Sequence, residues 1–266
     1  MRPSRAGLFS AWTSQALQKA AVRRRERTAS ADVTRFSDFG RHPAAVGHAR
    51  RRTTCSPSAS ASASGAIHLI VGPMFAGKSS KLLEEAARLG TLQGAEVLYL
   101  KSSKDKRYSE THIATHAGVQ VPCFAVSHLM RDVSSEGRQD DAGSASEQAR
   151  RRYVSSGIVA IDEAQFFGED LVEFCTRAAD DDAKTVVVAG LDGDFLRGKF
   201  GHVLDMVPLA DSVVKLHASC AVCGGRAVFS KKIDGDLGRQ EEIGSSDKYT
   251  AVCREHYLPC CANTEN

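Results

Sequence analysis

A chain of 266 residues with 42% hydrophobic and 25% charged side chains has the composition of a globular protein, as one large domain or two smaller ones. No apolar run approaches the roughly 18 residues that a bilayer span requires, which excludes a membrane-spanning helix bundle. The net charge of +3 is the sum of two unlike parts: residues 1–65 hold 12 of the 35 basic and 3 of the 32 acidic residues (+9), leaving 23 and 29 beyond them (−6).

A net acidic body gives no support to a nucleic-acid-binding surface. The basic part, 1–65, is rich in Arg, Ser and Ala, with Arg23-Arg24-Arg25, Arg50-Arg51-Arg52 and an alternating Ser/Ala run. It cannot bury enough apolar surface to offset chain entropy, so disorder is expected there. Its poverty in acids fits an organelle transit peptide. Import into a mitochondrion or plastid is the expectation, with a cytoplasmic location the alternative.

The first segment with chemical content is Gly72-Pro73-Met74-Phe75-Ala76-Gly77-Lys78-Ser79. It follows an apolar strand-like run, Ile67 to Val71, and opens into a helical pattern at Leu82, Leu83, Ala86 and Ala87. Strand, glycine-bounded turn and helix form the context of a nucleotide phosphate site. Glycine at each end lets backbone N–H groups turn inward at close range. Lys78 is placed to reach the β/γ-phosphates of a nucleotide, and the Ser79 hydroxyl to take one Mg²⁺ position.

Ala95 to Leu100 reads as a second strand, followed by the charged loop Lys104-Asp105-Lys106-Arg107-Tyr108. Spacing alone does not separate a functional loop from a solvated one. Val119 to Val126 reads as a strand, with a short helix around His128 to Arg131. Residues 133–152 show no hydrophobic period and read as a mobile surface insertion.

Ile158 to Ile161 is short and apolar enough for a buried parallel strand, and it ends on Asp162 and Glu163. Carboxylates at the carboxyl end of such a strand lie at the ligand crevice of an open α/β sheet. Asp162 is the expected Mg²⁺ partner, and Glu163 a proton acceptor for an attacking hydroxyl. A helix over 169–179 and a strand over 185–189 follow. The alternation argues for a parallel sheet with right-handed crossovers.

The loop from Gly190 to Gly201 carries Phe195, Arg197 and Phe200. The two rings are either pegs in the core or a wall for a flat ligand. Arg197 is a candidate for neutralising charge on a transferring phosphoryl group.

Of eight cysteines, Cys220 and Cys223 form one knuckle, and Cys253 with His256 forms a second, with 29 residues between the two. That spacing suits a structural Zn²⁺ with four protein ligands. With no apolar signal core, it also points to a reducing compartment. The fourth ligand stays open, because Cys260 and Cys261 follow His256 closely.

Taken together, these motifs resemble the zinc-containing thymidine kinases of the cellular cytosolic and bacterial type, over about residues 66–257. The phosphate loop with its Pro-Met-Phe filling, Lys104 to Ser109 with Thr115-His116, and Asp162 to Phe167 all match. So do Leu191-Asp192-Gly193 through Phe200-Gly201 to Asp211, both knuckles, and Ile243-Gly244 with Asp247-Lys248-Tyr249. The resemblance implies a P-loop NTPase-like α/β domain (66–217), with a parallel sheet and helices. It also implies a small zinc-ribbon-like domain (218–257) with a lasso loop, and a short tail (258–266).

It further implies phosphorylation of thymidine at its 5′-hydroxyl by ATP, with Mg²⁺ and structural Zn²⁺, in a homotetramer without nucleic-acid or membrane partners. By resemblance, Glu163, Lys78, Arg107 and Arg197 are catalytic. Gly72 to Ser79, Asp105, Arg107, Asp162 and Gln165 hold ATP. Met74, Leu191, Phe195, Phe200, Ser230, Glu242, Ile243, Gly244 and Tyr249 hold the nucleoside. The rival expectation is a DNA-dependent ATPase with a structural zinc element.

Overall fold

The computed structural model describes residues 64–105, 109, 111–115, 118–134, 145–233 and 248–258. Residues 1–63, Arg107, the lasso residues Glu242, Ile243 and Gly244, and Cys260 and Cys261 lie outside the described residues.

Strand β1 (Ala66–Gly72) leads into helix α1 (Lys78–Gln93). The helix buries Leu82, Leu83, Ala86 and Leu89, one stripe at helical spacing. It stops at Gly94, whose left-handed backbone (φ 62°) lets its N–H reach the Gly90 carbonyl. Strand β2 (Val97–Ser102) follows, then β3 (His112–Ala114), β4 (Gln120–Pro122) and β5 (Phe124–Val126).

The single strand expected over 119–126 is thus two. β4 pairs antiparallel with β3, whereas β5 joins β2 in parallel. Pro122 has no N–H to continue a ladder, and the Cys123 N–H turns instead to the Thr111 carbonyl at 2.9 Å.

Helix α2 (Leu129–Asp132) and helix α3 (Ala145–Ser155) come next. The second of these differs from the sequence expectation, which places 145–152 in a patternless insertion. α3 buries Ala149 and Tyr153, four residues apart, and little else. The Tyr153 ring meets Phe174 at 5.5 Å, and its hydroxyl donates to Asp182 at 2.6 Å. Two anchors in eleven residues are enough for docking but too few to show as periodicity.

Strand β6 (Ile158–Asp162), helix α4 (Asp170–Asp180) and strand β7 (Thr185–Leu191) complete the central part. After a 3₁₀ segment over Val203–Leu209, strand β8 (Ser212–Lys215) returns to β1. The main sheet has six strands in the order β5-β2-β6-β7-β1-β8, and every pairing is parallel.

β6 and β7 are buried along their whole length, as a sheet covered on both faces requires. One face carries Ile70, Ile158, Ala160, Val187 and Ala189 under the α1 stripe. The other carries Leu69, Leu100, Ile161 and Val188 under α3 and α4, with Phe174 and Leu171 at its centre.

Beyond β8 lie two small hairpins, β9 (Ala218–Ser219) with β10 (Arg226–Ala227), and β11 (Phe229–Lys232) with β12 (Tyr249–Val252). Helix α5 (Arg254–Tyr257) ends the described chain.

Phe174 is 1% exposed and packs on the helix that sequence patterning did not show. Phe174→Ala is expected to cost about 3–5 kcal/mol, checked by chemical denaturation.

Candidate active site and metal cluster

The cleft opens at the carboxyl ends of β1 and β6. Gly72 has φ 151°, and a Cβ there would stand 2.7 Å from the Leu216 carbonyl oxygen. Gly77 takes φ 78° as the residue preceding α1. Both conformations exclude ordinary side chains. No side chain caps α1, and Gly77, Lys78, Ser79 and Ser80 line the cleft. The first N–H groups of α1 and the positive end of the helix dipole therefore face it, which is an anion site. The Lys78 ammonium donates to the Pro73 carbonyl at 2.8 Å, so it lies over the same loop.

Across β7, Asp162 ends β6 and is 5% exposed. Burial, then the neighbouring Glu163 charge, push its carboxyl up to about 7, against the hydrogen bond from Ser79 and the N–H of Glu163. The fold thus joins Ser79 and Asp162, the pair expected at Mg²⁺. A hydroxyl beside a buried carboxylate that resists ionisation is a donor set suited to a hard cation.

Glu163 sits in the left-handed region at φ 51° and lines the cleft. Gln165, expected to hold ATP, is 2% exposed and is not among the residues lining the cleft; its Nε2 donates to Glu163 Oε2 at 2.5 Å.

Asp105 also lines the cleft, together with a residue that sequence reasoning missed, Lys101. Lys101 is 3% exposed, stands opposite Asp162 in the β2–β6 register, and reaches Asp105 Oδ2 at 3.5 Å. It also donates to the Ser109 carbonyl. A lysine at the carboxyl end of an apolar strand was the available signal. β3 supplies the far wall through His112, Ile113 and Ala114.

Met74 and Leu191 line the cleft as well, and Phe200 packs behind them with Phe166. Phe195 is buried and meets the Tyr249 ring at 6.3 Å. Ser230 is 4% exposed, and its Oγ accepts the Met74 N–H at 3.0 Å, tying the β11 hairpin to the phosphate loop. Arg197 lies elsewhere: its guanidinium stacks over Tyr257 at 4.6 Å and Phe229 at 5.6 Å.

The ligand atoms of Cys220, Cys223, Cys253 and His256 all lie within 4.8 Å of one another. Cys220 Sγ is 3.7 Å from His256 Nδ1, Cys223 Sγ is 4.0 Å from Cys253 Sγ, and Cys253 Sγ is 3.0 Å from His256 Nδ1. These separations lie on both sides of the roughly 3.4–3.8 Å that tetrahedral zinc sets, so among the described residues a Cys₃His cluster forms that could hold the ion. Phe75 and Ala76 of the phosphate loop pack against the apolar core beneath it.

A parallel sheet whose first strand empties through this loop into a helix N-terminus defines a P-loop-like α/β nucleotide-binding protein. A family model described as "Thymidine kinase" matches residues 65–257. The chain is 49% identical over 195 residues to thymidine kinase a of Arabidopsis thaliana, covering 73% of this chain and 76% of that one. It is 46% identical over 194 residues to a thymidine kinase of Oryza sativa subsp. japonica (73% and 66% covered). It is 39% identical over 205 residues to the cytosolic thymidine kinase of Homo sapiens (77% and 78% covered). The chain belongs to the thymidine kinase family.

Because Asp162 resists ionisation, its charged form costs stability at high pH and none below about 4, where it is protonated whether folded or not. Asp162→Asn is expected to stabilise the metal-free protein at pH 8 by on the order of 2 kcal/mol. The gain should fade as pH falls, and paired thermal melts at pH 8 and pH 4 check it.

Proposed function

We propose that this protein transfers the γ-phosphoryl group of ATP to the 5′-hydroxyl of thymidine, giving thymidine monophosphate and ADP. The observation that carries the reading is one cleft in which an uncapped helix N-terminus faces the acid pair Asp162 and Glu163, in a chain of this family. The loop 72–79 cradles the phosphates, and Lys78 offsets charge on the transferring group. Ser79 and Asp162 hold Mg²⁺, which supplies charge neutralisation at the phosphates.

Glu163 accepts the 5′-hydroxyl proton as that oxygen bonds to the γ-phosphorus. The bond to the bridging oxygen breaks, and ADP leaves with the electron pair. Asp105 and Arg107 belong to the ATP side of this reading. Arg197, the other candidate for neutralising charge on the transferring group, rests on Tyr257 and Phe229. Met74, Leu191, Phe200, Phe195, Ser230 and Tyr249 support the nucleoside, with the backbone at 242–244 closing over it.

The Cys220, Cys223, Cys253 and His256 cluster holds a structural Zn²⁺, since four protein ligands leave no open position. A homotetramer, and import directed by the basic segment 1–65, complete the proposal. The exposed Val213 and Val214 on β8, an edge strand of the main sheet, offer apolar surface for self-association.

ATP-dependent phosphorylation measured across thymidine, deoxyuridine and deoxycytidine tests the reading. Thymidine turnover is expected, and its absence from the purified, folded protein would overturn the assignment. Glu163→Gln is expected to lower kcat by about 10²–10⁴-fold while ATP affinity stays within about twofold. Unchanged turnover would remove Glu163 from the chemistry.

Metal analysis should find one zinc per chain. Cys223→Ser should lose it, with a lower melting temperature, because metal binding and folding of such a module are coupled.

A further inference from the structure

The geometry points to Gln165 as the residue that aims Glu163, by fastening its carboxylate to the end of β7. Gln165 lies in the 3₁₀ turn Ala164–Phe166 that follows β6, a turn closed by the Phe166 N–H on the Glu163 carbonyl at 3.1 Å. Its amide is bonded at both ends. Oε1 accepts the Leu191 N–H at 3.0 Å, and Nε2 donates to Glu163 Oε2 at 2.5 Å. A backbone N–H can be met only by the amide oxygen, so the amino end is directed at Glu163 without ambiguity.

The reach is short and the surroundings are closed. Gln165 is 2% exposed, so its amide cannot exchange these partners for water without opening the fold. The loop after β7 returns directly against it: Gly201, at φ 58°, would place a Cβ 2.3 Å from the Gln165 carbonyl oxygen. A left-handed, side-chain-free residue is what allows the loop to close over the turn. Leu191 is itself a cleft residue. The amide therefore links the nucleoside wall to the proton acceptor, through groups that have no freedom to drift.

Glu163 needs such a hold. Its φ of 51° is uncommon for a residue with a side chain. A carboxylate on a short turn has rotamers that point away from the cleft, and misplacement of a reacting group by about 1 Å can cost roughly 10²-fold in rate. Gln165 thus acts through Glu163 rather than on the nucleotide, as a positioning residue. This inference rests on the reading of Glu163 as proton acceptor.

The test is a double-mutant cycle in kcat for thymidine phosphorylation, using wild type, Gln165→Met, Glu163→Gln and the double variant. Gln165→Met is expected to lower kcat by roughly 10–10²-fold, with KM for ATP and thymidine within about twofold. In the Glu163→Gln background the same change should cost less than about twofold, because residues acting as a unit are non-additive. Equal losses in both backgrounds would show a structural role and overturn the inference.

Gln165→Asn guards against a simple folding defect, since it keeps both amide ends on a side chain one methylene shorter, which cannot span Leu191 and Glu163 together. A fall in kcat with KM for ATP and thymidine unchanged is expected, and wild-type kcat would refute the assignment. If Glu163→Gln itself retains full turnover, the proton-acceptor reading fails instead, and the two failures are told apart by that one rate.

Discussion

Asp162 ends a strand buried on both faces, and its carboxyl is held near 7 by burial and by the charge of Glu163 beside it. A group in that position is stable only where something else offsets its charge. The chain arranges this by placing the first turn of α1, with the Ser79 hydroxyl, opposite it. That juxtaposition depends on β7 lying between β6 and β1. Two strand spacings, roughly 10 Å, separate the ends of β6 and β1, and the first turn of α1 crosses that span to bring Ser79 to Asp162. The wholly parallel sheet follows from the same need, since all its strands have to present carboxyl ends to one crevice.

The metal cluster is not an appendage in this arrangement. Phe75, in left-handed backbone at φ 63°, sits in the phosphate loop and packs against the core under the cysteines. Ser230 caps the Met74 N–H from the neighbouring hairpin. Tyr257, one residue beyond His256, donates its hydroxyl to the Phe195 carbonyl at 2.7 Å and carries the Arg197 guanidinium on its ring. The cluster thus braces the anion cradle on one side and the aromatic loop on the other. Its four ligands, once fixed by an ion, would stiffen both without touching either substrate.

Much of the cleft was legible because its parts are local. A glycine-bounded turn between an apolar run and a helical stripe, or two carboxylates at the end of four apolar residues, carry their context within a few positions. What stayed hidden depends on partners far away in the chain. α3 has two buried side chains, and their reason, Phe174 and Asp182, lies 21 to 29 residues on. β4 and β5 read as one run because a change of partner strand leaves no mark except Pro122. Lys101 follows the last apolar residue of its strand, and only the register places it opposite Asp162.

The sequence by itself determined the chemistry available: an anion loop, a pair of acids, four metal-ligand side chains and the alternation that makes a parallel sheet. These are set by backbone freedom, side-chain type and short spacing, which do not need a fold to be read. Only the tertiary structure decided which groups meet. It gave Gln165 to Glu163 rather than leaving it free to face a ligand, set Arg197 on aromatic rings, and brought His256 beside Cys220 and Cys253. Such choices rest on hydrogen-bond ends and contact distances between segments many residues apart, and no local pattern encodes those.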